Sequence, residues 1–153
     1  MLDTFQGLPV HVLLLHATVV LVPLACALTV VVAFWSRVRT VGVWPVVALN
    51  AVMVVAVWLT AQAGERLEHR LGGSPQVASH ADIGDKLVWF ALALLAASVV
   101  VALVHDRGRG AQLGSGVLSA VVAVVTVFWV VRTGHSGAVA VWKDVVSSTT
   151  AAR

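Results

Sequence analysis

LPVHVLLLHATVVLVPLACALTVVVAFW, residues 8–35, decides what kind of protein this is. Apart from the thiol of Cys26, its only ionisable side chains are His11 and His16. At about 1.5 Å of rise per residue, a helix of this length crosses a hydrocarbon layer about 30 Å thick. A surface helix of a soluble protein would carry polar residues along one face, and this segment has no such face. Pro23 lies within it, and membrane helices tolerate proline.

Three more apolar blocks follow, and composition agrees with them. Hydrophobic residues make up 59% of the 153-residue chain and charged residues 11%, too skewed for a single soluble core. We expect an all-α fold: an integral membrane four-helix bundle forming one transmembrane domain over residues 1–153, with spans at about 8–35, 42–63, 86–104 and 113–138. The lipid bilayer is then the first partner. The net charge of +3 and pI near 10 do not point to nucleic acid, because the ten basic residues are scattered and build no basic face. The lone Cys26 excludes an intramolecular disulfide. Leu24-Ala25-Cys26 resembles the end of a lipoprotein signal, but no Lys or Arg precedes it and the apolar run continues to Trp35. The first block therefore reads as a retained span.

Between the blocks, residues 36–40 read as a tight polar turn, with the second helix beginning near Gly42. Its pattern continues past Ala63 through Glu65, Arg66, Glu68, His69 and Arg70 and stops at Gly72-Gly73. Ser74-Pro75 reads as an N-cap and first helical residue, so the third helix starts well before its apolar part and runs to Val104. After a second turn at residues 105–110, the fourth helix spans about Leu113 to Trp142, interrupted at residues 132–137, and a Ser/Thr/Ala tail frays from Ser147. The two short turns hold Arg37, Arg39, Arg107 and Arg109 against Asp106 alone, which places them inside and both termini outside.

Counting outward from those turns brings polar groups of all four helices to one level. His16, Gln62 and Glu65, His80 and Asp85, and Arg132 and His135 all fall about 28–36 Å up their helices, near the outer edge of the hydrocarbon. Five of the six histidines lie at this end, and only His105 at the other. Ionisable side chains at a membrane margin are costly and often functional. Imidazoles from different helices of a bundle bind haem iron, zinc, copper or non-haem iron. His16, His80 and His135 are the candidate ligands, for a haem or for a metal ion. Glu65 adds an oxygen ligand or orients an imidazole, and His11, higher on the first helix, adds a further contact. Arg132 repels a bare dication but suits haem propionates, a quinone oxygen or an internal carboxylate.

Plainer readings stand beside these. His11, His69 and His105 read as interfacial side chains, and Glu65–Arg66 or Asp85–Arg132 as ion pairs closing the bundle. Trp58, Trp89 and Trp129 read as belt or packing residues and Asn50 as an interhelical hydrogen-bonder. Motifs of soluble enzymes are absent: there is no phosphate loop, no paired-cysteine site and no supported Ser/His/Asp arrangement.

Residues 8–16, LPVHVLLLH, resemble the opening of a bacterial family of small four-helix predicted membrane proteins of unassigned function, whose first helix reads H-P-x-x-x-H-x-P. Gly134-His135-Ser136-Gly137-Ala138 resembles the family's G-x-x-G-G pattern, and His80 stands where relatives hold a histidine before the third span. Both first-helix prolines are replaced here, by Val12 and Thr18, and the last glycine by Ala138. Some relatives are fused to Rieske-type iron–sulfur domains, and the architecture is similar to membrane b-type cytochromes. The resemblance implies a multi-pass protein of the bacterial cytoplasmic membrane and a redox or haem-linked role for His16, His80 and His135.

The expectation that follows is a binding or electron-transfer membrane protein rather than a stand-alone enzyme. It would hold haem b or another redox metal at one outer face and exchange electrons with quinone or a redox protein partner. A transmembrane two-haem wire would need ligands at both ends, and the inner end offers only His105. The alternatives are a non-haem zinc, copper or iron site for binding or transport, and a non-catalytic accessory subunit with no cofactor in a homo- or hetero-oligomer.

Overall fold

The computed structural model describes residues 4–5, 8–71 and 75–151, with side chains described at 14–66, 68, 75–139 and 142. Two-residue strands β1 (Thr4–Phe5) and β2 (Leu8–Pro9) pair antiparallel, Thr4 opposite Pro9 and Phe5 opposite Leu8. Five helices follow: α1 (Val10–Phe34), α2 (Ser36–Leu71), α3 (Pro75–Asp85), α4 (Leu87–Leu103) and α5 (Arg109–Ala151). Four segments are long and apolar enough to cross a membrane: Leu14–Phe34, Ser36–Arg66, Pro75–Leu103 and Arg109–Val139. The fold is the expected membrane four-helix bundle, with α3 and α4 sharing one span.

Four boundaries differ from the sequence reading, each for a local reason. The first helix starts at Val10, because Leu8–Pro9 is committed to the small ladder. The second starts at Ser36 instead of Gly42. Thr18 Oγ1 pairs with Thr60 Oγ1 at 3.0 Å and Asn50 Nδ2 donates to Thr29 Oγ1 at 3.0 Å; both contacts centre the hairpin on Arg39, not on Trp35. The opening of α2 is thus helical, yet it belongs to the turn. Arg39 explains how this is held. It is 4% exposed, and its guanidinium donates from Nε to the Val32 carbonyl at 2.9 Å and from a terminal nitrogen to the Ala33 carbonyl. Carbonyls at a helix C-terminus lack partners and carry the negative end of the dipole, and Arg39 answers both needs.

Third, the chain breaks its α-helical pattern at Lys86, where Trp89 N–H bonds to the Lys86 carbonyl in a tighter turn. The indole of Trp129 donates to the Ile83 carbonyl just before this break, at 2.9 Å. Fourth, α5 runs unbroken through residues 132–137 and on to Ala151, so neither the expected interruption nor a frayed tail from Ser147 is present in the helix. Thr133 Oγ1 and Ser136 Oγ turn back to carbonyls of their own helix, at Trp129 and Thr133.

Around the ring of spans, α1 packs on α2 and α5, and α4 on α2 and α5. Val22, Ala25, Cys26, Met53, Ala91 and Leu94 lie in the main core, and Ala33, Val43 and Val101 in a second cluster toward the inner end, the one that carries the two short turns, the opposite one being the outer end. Outward faces are apolar as well: Val20, Val52, Val124, Phe128 and Val131 are exposed, as lipid contact requires. Trp35 and Trp44 are exposed at the inner margin, Trp58 and Trp89 toward the outer one, which is the pattern of an aromatic belt. Inside, buried hydroxyls of Thr29, Ser98 and Thr126 bond to carbonyls in the preceding turn. Asn50, fully buried at mid-span, bonds across to Thr29 as the sequence suggests.

Candidate functional site

Counting from the tryptophan belt locates the polar layer. Glu65 lies seven residues beyond Trp58, and His80 nine residues before Trp89 on the returning chain, so both stand about 10–13 Å farther out along their helix axes. The layer therefore lies beyond the tryptophans, just inside the outer ends of the four apolar spans.

A cavity of about 120 Å³ occupies the bundle here, with walls from all five helices. Its deeper part is apolar, formed by Val57, Leu87 and Val130, and its outer part carries Glu65, Glu68 and His80 with Leu15 beside them. The hydroxyl-bearing Thr18, Thr60 and Thr133 lie between. Missing side chains make the space: Gly64, Gly84 and Gly134 all border it, and a Cβ built on Gly134 would meet nothing within 4 Å. Divergence makes it too. At the inner end α1 and α4 share the Ala33–Val101 cluster, whereas past the Lys86 break α3 lies against α2 and α5 and leaves the cavity between itself and α1.

His80 is the best-placed chemical group. It is half-buried, its Nδ1 is 2.9 Å from Ser136 Oγ, and its ring lies flat enough on α5 that a Cβ at Gly137 would come within 3.0 Å of Cε1. Ser136 Oγ also lies 2.8 Å from the Thr133 carbonyl, so its single proton serves either that carbonyl or Nδ1 of His80. When Nδ1 takes it, the neutral ring carries its hydrogen on Nε2. A serine and a glycine, one residue apart on α5, thus set the seat of one imidazole.

The other expected site residues are distributed differently. Glu65 borders the cavity and accepts from Gln62 Nε2 at 3.3 Å. His16 and His135 reach the expected level but are exposed, and neither lines the cavity. Arg132 is exposed and lies 5.2 Å from the centroid of the Trp129 indole, a cation–π contact. The side chains of His11 and His69 lie outside the described residues. No group of three or more His, Cys, Asp or Glu able to hold a metal ion forms among the described residues. The suggested ion pairs Glu65–Arg66 and Asp85–Arg132 do not form either. Lys86 instead approaches Asp82 at 3.8 Å on the surface, and Asp85 lies within electrostatic reach of Glu65, Glu68 and Asp82.

A family model described as Predicted membrane protein (DUF2231) matches residues 7–150. The chain belongs to this family. No curated protein and no solved structure matches it. Membership of the DUF2231 family agrees with the four spans and with a multi-pass protein in a lipid bilayer. The glycine-containing stretch at residues 134–138 has two distinct jobs in this member: Gly134 leaves the cavity open and Gly137 seats His80.

Sequence reasoning assigns no site role to Ser136, Glu68, Gly64, Gly84 or Gly134, and finds no sign of the Trp129–Ile83 bond. Ser136 and Glu68 were within reach of it, since both fall at the depth of His80 when counted along their helices. The indole bond was not, because it depends on how α5 is rotated against α3.

Proposed function

We propose that the protein is a membrane-embedded binding subunit of an electron-transfer system. Its outer cavity takes the ring of a membrane-soluble quinone. The observation that carries this is the cavity itself: its volume of about 120 Å³ is close to that of the dry protein cavities, about 150 Å³, known to accept a benzene-sized ring. An apolar floor toward the hydrocarbon and a polar rim toward the headgroups suit a six-membered ring bearing oxygens. With Nδ1 accepting from Ser136, His80 donates Nε2–H to one ring oxygen, and the Thr18, Thr60 and Thr133 hydroxyls border the same space. Buried ligand sites are typically this kind of mostly apolar cleft with a few placed polar groups.

Haem b fits less well. Axial ligation across a bundle needs imidazoles facing one space, and among the described histidines only His80 lines the cavity. A non-haem metal has the same shortage, with Glu65 and Glu68 as the other acidic groups on the wall and no three-ligand convergence. Arginines 37, 107 and 109 in the inner turns support an orientation with the cavity at the extracytoplasmic face of a bacterial membrane.

The test uses detergent-purified protein and a short-tailed benzoquinone, read through quenching of tryptophan fluorescence, since Trp129 adjoins Val130 of the cavity wall. Saturable quenching is expected in the parent chain and its loss in Gly134→Leu, where the new side chain enters open space. Equal quenching in both proteins would sink the assignment. An absorption spectrum with a Soret band would replace quinone by haem, and stoichiometric metal without a porphyrin spectrum would replace it by a metal centre.

A further inference from the structure

The wall of the cavity formed by α3 differs from the other walls in how it is held. None of its residues, Pro75–Asp85, is fully buried. Directly after Lys86, α4 buries Leu87, Ala91, Leu94, Ala97, Ser98 and Val101. The two helices are consecutive parts of one span, yet one is anchored in the core and the other rests on the bundle's outer end. Stability in a protein is not uniform, and segments without buried apolar anchors open first.

The junction allows separate movement. At Lys86 the hydrogen-bond ladder is interrupted by a three-residue turn, Trp89 N–H to the Lys86 carbonyl at 3.2 Å, while the backbone keeps helical angles (φ −67°, ψ −22°), and no side chain caps the start of α4. Beyond the junction, two side-chain hydrogen bonds clip α3 to α5: His80 to Ser136 at 2.9 Å and the Ile83 carbonyl to the Trp129 indole at 2.9 Å. Gly84 faces Thr133 closely enough that an added Cβ would lie 3.9 Å from Thr133 Cγ2. Through Val77, His80, Ala81 and Gly84 the same helix covers one side of the cavity.

We propose that α3 is a lid, hinged at Lys86 and latched to α5 through His80–Ser136 and Ile83–Trp129, whose opening admits the ligand to the cavity. The identity of the ligand rests on the quinone reading above; the motion of the lid does not. The latch uses the same imidazole that meets the ligand, so a ring oxygen bonding to His80 acts directly on the group that closes the lid.

Two measurements separate the parts. Amide hydrogen exchange in ligand-free protein reports the lid alone. Peptides covering 75–85 should exchange faster than those covering 87–103, and Ser136→Ala or Trp129→Phe should raise the rate over 75–85 about five-fold, the worth of one hydrogen bond, without changing 87–103. Equal protection of the two segments, or equal acceleration of both, would overturn the lid. Gating is read by stopped-flow quenching with the short-tailed benzoquinone in Trp129→Phe, which releases the Ile83 carbonyl and leaves the cavity lining unchanged, compared with the parent chain and followed through the remaining tryptophans. Faster association and faster release of the quinone than in the parent are expected. Equal rates with normal binding would refute gating while leaving the quinone site intact. An α3 that opens in a protein showing no quinone binding would refute the quinone site while leaving the lid intact.

Discussion

Alanine at Gly134 and alanine at Gly137 should move stability in opposite directions, although the two positions lie one turn apart on the same uninterrupted helix. Helix propensity treats them alike: replacing an interior glycine by alanine gains about 1 kcal/mol. At Gly134 nothing opposes that gain, since no atom lies within 4 Å of the added Cβ. At Gly137 the added methyl meets Cε1 of His80 at 3.0 Å and both ring nitrogens at 3.4 Å. Relieving this moves the ring away, at an overpacking cost of about 1–3 kcal/mol. The bond to Ser136 goes with it, worth about 1 kcal/mol. The balance is a gain of about 1 kcal/mol at Gly134 and a net loss of about 1–3 kcal/mol at Gly137, or shifts in melting temperature of about 2–4 °C upward and about 2–12 °C downward in a chain of this size. Thermal unfolding of matched detergent samples, followed by far-ultraviolet circular dichroism, measures both. A double variant with His80→Ala isolates the cause, because alanine at 137 then has no ring to displace and should stabilise. If Gly137→Ala raised the melting temperature with His80 present, the ring would not be seated on α5 and the site geometry derived from it would fall.

Three further outcomes follow from other parts of the molecule. Arg39→Met should destabilise by about 2–3 kcal/mol, because it removes charged donors from the Val32 and Ala33 carbonyls; Arg39→Lys should recover only part of this, and an unchanged melting temperature in both would show that the carbonyls find other partners. Asn50→Leu should cost little, at most about 1 kcal/mol, since the bond to Thr29 is lost but a buried Oδ1 that has no partner among the described residues goes too; a loss of several kcal/mol would mean that Oδ1 is satisfied in the membrane. Gly116→Val should displace the Phe34 ring, because even a Cβ there comes within 3.0 Å of it; the ring is half-exposed and can turn outward, so the cost should stay within about 1 kcal/mol, and a loss of several kcal/mol in thermal unfolding would show that the ring is held in place.

The residues show unevenly how much a sequence discloses. Membrane class and the number of spans were plain, because an apolar run of about twenty residues has few other uses; the expected stop at Gly72-Gly73 lies outside the described residues. The start of α2 was not, because residues 36–40 look like a polar turn and only the packing of Arg39 against the end of α1 shows that they form that turn as a helix. The unbroken course of α5 through residues 132–137 was misread for a similar reason. Glycine, serine and histidine suggest a loop when taken alone, whereas against α3 they are what permits a close helix contact.

The histidines divide the two kinds of information most clearly. By itself the sequence determined the depth of His16, His80 and His135, because the rise per residue is a property of the backbone hydrogen bonds and hardly depends on neighbours. It did not determine which way each side chain faces in the assembled bundle. Rotation of a helix about its axis is set by how its ridges and small residues pack against the helices beside it. Only the tertiary structure turned His80 onto Gly137 and the cavity while leaving His16 and His135 exposed, and so made one imidazole of that layer the centre of the candidate site.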